Sequence, residues 1–274
     1  MAQIKYDRYP GGKRYACTFS YDDGCAQDRR LVELFNKYGV KSTFNLISNN
    51  LLKTDGNGVK ADEVKSLYEG HEIAVHTLRH LHLERMSIAD QLGEILEDRK
   101  ALEKISGKFV RGMAYPFGTY NSDTFKVMDV SEIVYGRTNI PSNSFVLPED
   151  FKIWNPTSHH NESQINVKRM VYNATKAPWR AGGVLYIWGH SYELDNQEAP
   201  VKWNELEEML KQLKEVEDNL WFATNIEIYD YAQVIKSIRH SADGSKLYNP
   251  TDTDICISVD DEPATIKACS FLEV

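Results

Sequence analysis

The chain has no apolar run near the roughly 20 residues that span a bilayer, no block of basic residues, and no C-x-x-C pair among its four cysteines. The first absence excludes a transmembrane helix. Met1 to Tyr9 also lacks an apolar stretch of the kind that marks a signal peptide, so a cytoplasmic location is the expectation. The second absence, with a net charge of −8 and a pI near 5.5, argues against nucleic acid and anionic membranes as partners. The third leaves Cys17, Cys25, Cys256 and Cys269 without zinc-site spacing, and reads as buried reduced thiols. Internal repeats and low-complexity segments are also missing.

What is present is an ordinary globular composition, 42% hydrophobic and 26% charged over 274 residues. That length fits one large domain, or a domain with a small appendage. Short β-rich runs alternate with amphipathic helical patterns, the mark of βαβ units. Strands are expected at Arg14 to Ser20, Lys41 to Leu46, His71 to Val75, Phe109 to Tyr115, Ile133 to Thr138, Phe151 to Trp154, Val184 to Trp188 and Leu220 to Thr224. Between them, Leu31, Leu34, Phe35 and Tyr38 mark a helix stopped by Gly39. Ser87 and Asp90 have N-cap spacing for a helix with Ile88, Leu92, Ile95, Leu96 and Leu102 as its buried stripe, ended by Gly107. Further helices are expected over Ser163 to Ala174 and around Trp203 to Val216.

From about Ser237 the period changes to two. Ile255, Ile257 and Val259 alternate with polar residues, Asp261-Glu262-Pro263 supplies a turn, and Ala264 to Leu272 returns. The expected fold is α/β, a distorted (β/α) barrel of seven or eight strands over residues 1–236 with a C-terminal β-hairpin appendage over 237–274. The hairpin is read either as a flap on the barrel or, through exposed apolar Ile255 and Phe271, as a homo-oligomer contact.

Four strand ends carry chemistry: Tyr21-Asp22-Asp23-Gly24, His76-Thr77-Leu78-Arg79-His80, Tyr115-Pro116-Phe117-Gly118 and Trp188-Gly189-His190. Catalytic residues of β/α barrels sit at the C-terminal ends of several strands. His76 and His80, four apart, share a face if their segment forms a helical turn, which suits two imidazole ligands on one ion. His71 and Glu72 do not make a zincin motif, because position 75 is Val. Asp22 and Asp23 face opposite ways in a regular strand, but share a cavity if the strand turns there, and Gly24 gives the backbone that freedom. His190, after a buried apolar run, suits proton transfer near neutral pH. His159 and His160, after Trp154, read as a solvated loop, with lining of the cleft as the alternative.

In this order the segments Thr18 to Gly24, Gly70 to His80, Tyr115 to Gly118 and Leu185 to His190 resemble the polysaccharide deacetylase family, the NodB-like group called carbohydrate esterase family four. The resemblance covers about residues 14 to 232. It implies a distorted barrel that removes N- or O-acetyl groups from carbohydrate with a divalent metal. Asp22 then corresponds to the base, and Asp23, His76 and His80 to the metal ligands. The Phe117 N–H corresponds to oxyanion support, and His190 to the general acid. Zinc is the expected metal, with cobalt, nickel or manganese also accepted by such a donor set. Tyr115, Pro116, Trp188 and Tyr192 are expected to bind substrate, an acetylated carbohydrate or small acetylated compound.

The family's base-orienting arginine is replaced at its usual position by Ala114, leaving Arg111 as the nearest candidate. The partner of His190 stays open among Glu193, Asp195 and Asp150. Two other readings of the whole chain are a hydrolase of a small non-sugar amide or ureide, and a non-catalytic carbohydrate-binding barrel whose aromatics, Trp154 among them, stack on sugars.

Overall fold

A computed structural model describes residues 2–53, 55–177 and 180–274. After the short strand β1 (Ile4–Lys5) come β2 (Tyr15–Asp22), helix α1 (Asp28–Tyr38), β3 (Ser42–Leu46), and the short helices α2 (Ser48–Leu51) and α3 (Val64–Leu67). Then follow β4 (Glu72–Val75), α4 (Ile88–Ser106), β5 (Gly112–Ala114), α5 (Ser122–Val130), β6 (Tyr135–Arg137) and β7 (Ser158–His159). The barrel portion ends with α6 (Gln164–Lys176), β8 (Gly183–His190), α7 (Trp203–Lys214), β9 (Leu220–Phe222) and α8 (Asn225–Lys236).

Strands β2 to β9 form one parallel sheet in the order β6-β5-β4-β3-β2-β8-β7, with β9 also paired to β2. This is the distorted barrel that the alternating pattern predicts. All eight residues of β2 are buried, as expected for a parallel strand covered on both faces. The sheet's outer strands, β6 and β7, do not pair with each other. Residues 154–157 span the gap instead: Trp154 exchanges backbone hydrogen bonds with Gly136 and Thr138, while the Thr157 N–H donates to Tyr186 O at 2.7 Å. The expected strand over Phe151 to Trp154 is a 3₁₀ turn, Phe151–Ile153, because Asp150 caps the Lys152 N–H. Trp154 and Ile133 lie in the core.

Helix α1 stops at Gly39, whose φ of 64° is the left-handed cap that glycine adopts freely. Ser87 caps α4 by accepting the Asp90 N–H at 3.2 Å. The expected apolar stripe of α4 is only half right. Ile95 and Leu102 are buried, whereas Ile88 is exposed and Leu92 and Leu96 are half-buried. The face turned toward the sheet also carries buried Gln91, Glu94 and Asp98. Glu94 and Asp98 accept backbone N–H groups of loops packed against them, whereas Gln91 accepts from the Thr124 hydroxyl and donates to Met86 O.

The C-terminal segment is larger than a hairpin. Strands β12 (Ile255–Val259) and β13 (Glu262–Ile266) pair as a hairpin, but Glu262 and Pro263, expected in the turn, already pair with Val259 and Ser258, the return strand ends at Ile266 rather than Leu272, and β1 from the N-terminus joins as a third strand. A second small sheet holds β10 (Arg239–His240), β11 (Lys246–Tyr248) and β14 (Phe271–Glu273). Leu247, Ile255, Ile257 and Ile266 form their own core against Val234 and Ile235 of α8. Ile255 is therefore fully buried rather than available for contacts, while Phe271 is exposed and packs on Tyr248. Cys17 and Cys256 are buried free thiols. Cys25 is half-buried and Cys269 exposed, against the expectation for all four.

Candidate active site

Parallel register assembles the site. Asp22 is the last residue of β2, and its Cα partners are Asn45 of β3 and His190 of β8. His76 follows β4 directly, Arg137 ends β6, and His159 ends β7. Every one of these positions is at the C-terminal end of a parallel strand, the end where β/α barrels place their chemistry.

The chain bends sharply at three of the strand-end segments. Asp23, Thr77, His80 and Phe117 have φ of 80°, 65°, 59° and 59°, left-handed values that cost non-glycine residues energy. The strand turns after Asp22, so Asp23 swings to the same side as its neighbour. His76 and His80 reach each other through the left-handed residues Thr77 and His80, not on the helical turn that their spacing predicts. The His80 N–H donates to Thr77 Oγ1 at 3.0 Å, and the two rings lie 4.7 Å apart.

Asp23, His76 and His80 bring one ligand atom each within 4.8 Å of one another. His76 Nδ1 lies 2.8 Å from the Ala114 carbonyl, an acceptor only, so Nδ1 carries the proton and the bare Nε2 faces Asp23 Oδ1 at 3.6 Å. Asp23 Oδ1 is buried without a hydrogen bond. An unsatisfied carboxylate oxygen beside a bare imidazole nitrogen fits a divalent cation, and burial together with neighbouring His76 lowers the His80 pKa, favouring its neutral, ligating form. A cavity of about 490 Å³ opens beside these residues, lined by Asp23, Cys25, Asn50, Lys53, Lys60 and His80.

Asp22 is almost fully buried. It accepts from Asn45 Nδ2 at 2.8 Å and pairs through both oxygens with Arg137, itself buried. Burial would raise the Asp22 pKa, but the Arg137 guanidinium, with His76 and His190, outweighs it and holds the carboxyl at about 2. The arginine beside Asp22 is thus Arg137, and not Arg111. Arg111 lies before β5 and pairs with Asp230 on the outside of the barrel at 3.0 Å. Arg137 is the Cα partner of Ala114, so the guanidinium enters from the adjacent strand. The signal for it was a single arginine ending the apolar run from Ile133. It lies over the Trp188 ring, 4.6 Å from the centroid.

His190 Nε2 faces Asp22 Oδ2 at 3.9 Å and Asp23 Oδ2 at 4.0 Å. On the other edge of the ring Nδ1 lies 3.4 Å from Glu193 Oε1. Burial acts to lower the His190 pKa, yet Glu193, Asp22 and Asp23 outweigh it and raise it. Asp195 is taken by Trp203 and Gln27, and Asp150 caps its own turn, so neither is the partner. His159 and His160 are not a solvated loop. His160 is fully buried beside Tyr21, and both Nε2 atoms approach Glu193. Gly189 makes room for them, since a Cβ there would stand 2.3 Å from His160 Nδ1. Gly189→Ala is therefore expected to cost about 1–3 kcal/mol, read as a lower denaturation midpoint.

Phe117 sits half-exposed, its ring stacked on His82 at 3.8 Å and edge-on to His80 at 4.6 Å. Tyr192, also half-exposed, lies against His190. Trp188 is half-buried between Arg137, His159 and His190. Tyr115 and Pro116, expected to bind substrate, are buried. The Tyr115 hydroxyl donates to Lys152 O at 2.7 Å, which turns its ring into the core. His71, beside the rejected zincin pattern, accepts the Ser42 N–H at 3.1 Å and stays apart from the site.

Comparison with known proteins bears on the family and the fold. The sequence pattern described as polysaccharide deacetylase matches residues 7–135. YxkH of Bacillus subtilis, named for the same family, is 26% identical over 140 residues, 50% of this chain and 49% of its own length. The peptidoglycan-N-acetylglucosamine deacetylase PgdA of Listeria monocytogenes is 28% identical over 109 residues, 40% of this chain and 22% of its own. The chain thus spans about half of the first relative and about a fifth of the second. A Mycobacterium smegmatis structure named for the family superposes with a TM-score of 0.64 at 16% identity, over 85% of this chain and 96% of that one, and shows the shared fold. Over residues 7–135 the chain thus matches the polysaccharide deacetylase family, the NodB-like group of carbohydrate esterase family four, and its curled parallel sheet has the fold of the Mycobacterium smegmatis structure.

Proposed function

We propose that this chain is a metal-dependent hydrolase that removes N- or O-acetyl groups from a carbohydrate. The observation that carries the reading is the meeting of Asp22, Asp23, His76, His80 and His190 at one barrel mouth, with Asp23 Oδ1 buried and unsatisfied among them. Asp23, His76 and His80 would hold a divalent ion. Zinc suits the two imidazoles and one carboxylate, and cobalt, nickel and manganese are compatible. When bound, it supplies a Lewis acid for the acetyl carbonyl and a more acidic water.

The chain's own groups do the rest. Asp22, ionised at neutral pH, takes a proton from the water whose oxygen attacks the acetyl carbon. The Phe117 N–H donates to the oxyanion as the carbon becomes tetrahedral. When the C–N bond of an amide breaks, its electron pair goes to nitrogen, which takes the Nε2 proton of His190. An amine anion is too poor a leaving group to depart without it. The exposed faces of Phe117 and Tyr192 flank the cleft and suit the apolar faces of sugar rings. The likeness to PgdA supports an N-acetylated amino sugar as the first substrate to test.

The test is acetate release by the metal-loaded protein from N-acetylglucosamine oligomers, acetylated xylan and small amides. Chelation and Asp23→Ala should each abolish release, and re-addition of metal should restore the chelated protein only. Full turnover after either treatment, or turnover of a ureide alone, would refute the proposal.

A further inference from the structure

Three histidines from two strand ends converge on one carboxylate, and the activity proposed above uses only one of them. Glu193 follows β8 by three residues. Its Oε2 accepts the His190 backbone N–H at 3.1 Å, and lies 3.0 Å from His159 Nε2 and 3.2 Å from His160 Nε2. Its Oε1 faces His190 Nδ1 at 3.4 Å.

The cluster resembles a second metal site in composition, but the proton on His159 decides otherwise. The Asn161 backbone N–H donates to His159 Nδ1 at 3.3 Å. An amide N–H only donates, so His159 Nδ1 is bare and its neutral ring carries hydrogen on Nε2. His159 Nε2 is therefore a donor aimed at Glu193, with no lone pair for a cation. Burial, with His159 beside it, lowers the His160 pKa to about 3 and keeps that ring neutral as well. Tyr21 Oη, 3.2 Å from His160 Nδ1, and the wall of β8 at Gly189 fix it in place.

We propose that His159 and Glu193 are positioning residues for His190, acting as a chain His159–Glu193–His190. This rests on the deacetylase reading. His159 donates to Glu193 Oε2 and fixes the carboxylate. Glu193 Oε1 accepts a hydrogen bond from the Nδ1–H of His190 and sets the ring so that Nε2 points across the mouth toward Asp22 and Asp23. Proton transfer to the leaving nitrogen comes from Nε2. Nδ1 keeps its hydrogen throughout, and Glu193 stays ionised. The carboxylate thus comes from the turn that follows His190, and its support comes from β7, the strand beside it.

Two measurements test this. The first compares an N-acetyl sugar, whose leaving amine needs a proton, with para-nitrophenyl acetate, whose phenolate leaves without one. Glu193→Gln and His159→Leu should lower the amide-to-ester ratio of kcat about tenfold or more, a fraction of what a general acid supplies. KM should move little. His159→Gln, which restores an N–H donor, should recover part of the ratio. The double variant His190→Asn/Glu193→Gln should be no worse than His190→Asn alone, as expected of residues acting as one unit. Equal loss on both substrates, or additive loss in the double variant, overturns the proposal.

The second measurement is independent of turnover. Nitrogen-15 imidazole spectra of the wild-type protein should show His159 as the Nε2–H tautomer. An Nδ1–H tautomer, or a second metal equivalent that disappears in His159→Leu, overturns the proposal. If the wild-type protein releases no acetate at all, the deacetylase reading fails on the first measurement, while the second still decides whether the His159–Glu193 link exists.

Discussion

Asp22→Asn is expected to lower deacetylation by about 10²–10⁴-fold, the usual worth of a positioned base, and to destabilise the fold by about 3–5 kcal/mol. The second effect follows from Arg137. Its guanidinium is 1% exposed and pairs with both Asp22 oxygens. Neutralising Asp22 leaves a buried charge without its counterion. Arg137→Met should cost a similar amount for the mirror reason, and should let burial raise the Asp22 pKa, so that the base protonates at higher pH. The double variant Asp22→Asn/Arg137→Met removes both charges and should recover most of the stability, although not the activity. Denaturant midpoints for the four proteins read the cycle. A double variant as unstable as the sum of the singles would refute the pairing.

The same pair sets an acid limit. Asp22 titrates near 2 when folded against an ordinary 3.8. A depressed folded pKa contributes stability at pH above about 4, and that contribution is lost as pH falls from about 4 through about 2, on the order of 2 kcal/mol in all. Acid unfolding of the wild-type protein should steepen in that window. In the Arg137→Met variant burial holds the Asp22 pKa above its unfolded value, so this acid loss should vanish and stability should instead fall as pH rises through the raised pKa.

The second large effect is expected at Asp98, on the inner face of α4. Its Oδ1 accepts the Ser48 N–H at 2.8 Å, and its Oδ2 shares the His76 N–H at 3.1 Å with Leu46 O. Four residues earlier on the same face, Glu94 accepts the Leu78 N–H through its backbone and the Arg79 N–H through its side chain, both at 2.9 Å. One helix stripe therefore grips the loop that carries His76 and His80. Asp98→Ala leaves the Ser48 N–H buried without an acceptor, and should cost about 2–3 kcal/mol. It also frees the backbone at His76, so metal affinity should fall about 10–100-fold, as when supports behind metal ligands are removed. Calorimetric titration of apo protein with zinc checks the affinity, and thermal denaturation checks the stability. Unchanged zinc affinity would show that β4 alone holds His76.

This stripe also shows where reading the sequence stops. Helix periodicity places α4 and its caps correctly, because Ser87 and Gly107 act locally. It cannot tell that the inner face needs acceptors at Glu94 and Asp98 more than apolar groups at Ile88 and Leu96. That need comes from a loop that approaches from another part of the chain. Arg111 was the wrong arginine for a similar reason: it is near the third motif in sequence, whereas Arg137 is near Asp22 in register. The partner of His190 could not be chosen among three acids by spacing, but it is decided once Asp195 and Asp150 are seen bonded elsewhere. His159 and His160 looked like a loop because nothing in their neighbourhood reveals β8 packing over them. Ile255 was misread as exposed because its strand alternates, and the face that α8 would cover is not marked in the alternation itself.

By itself, the sequence determined the barrel's strand–helix rhythm, the strand-end segments and the family resemblance. Each is written in contiguous residues whose periodicity, turn glycines and short motifs act over one turn or one strand. Only the tertiary structure decided how those segments meet: which arginine neutralises Asp22, which carboxylate stands behind His190, and which helix face holds the loop of His76 and His80. Those choices depend on parallel register and on which buried polar groups find partners, and parallel register is set between strands that the chain separates by tens of residues.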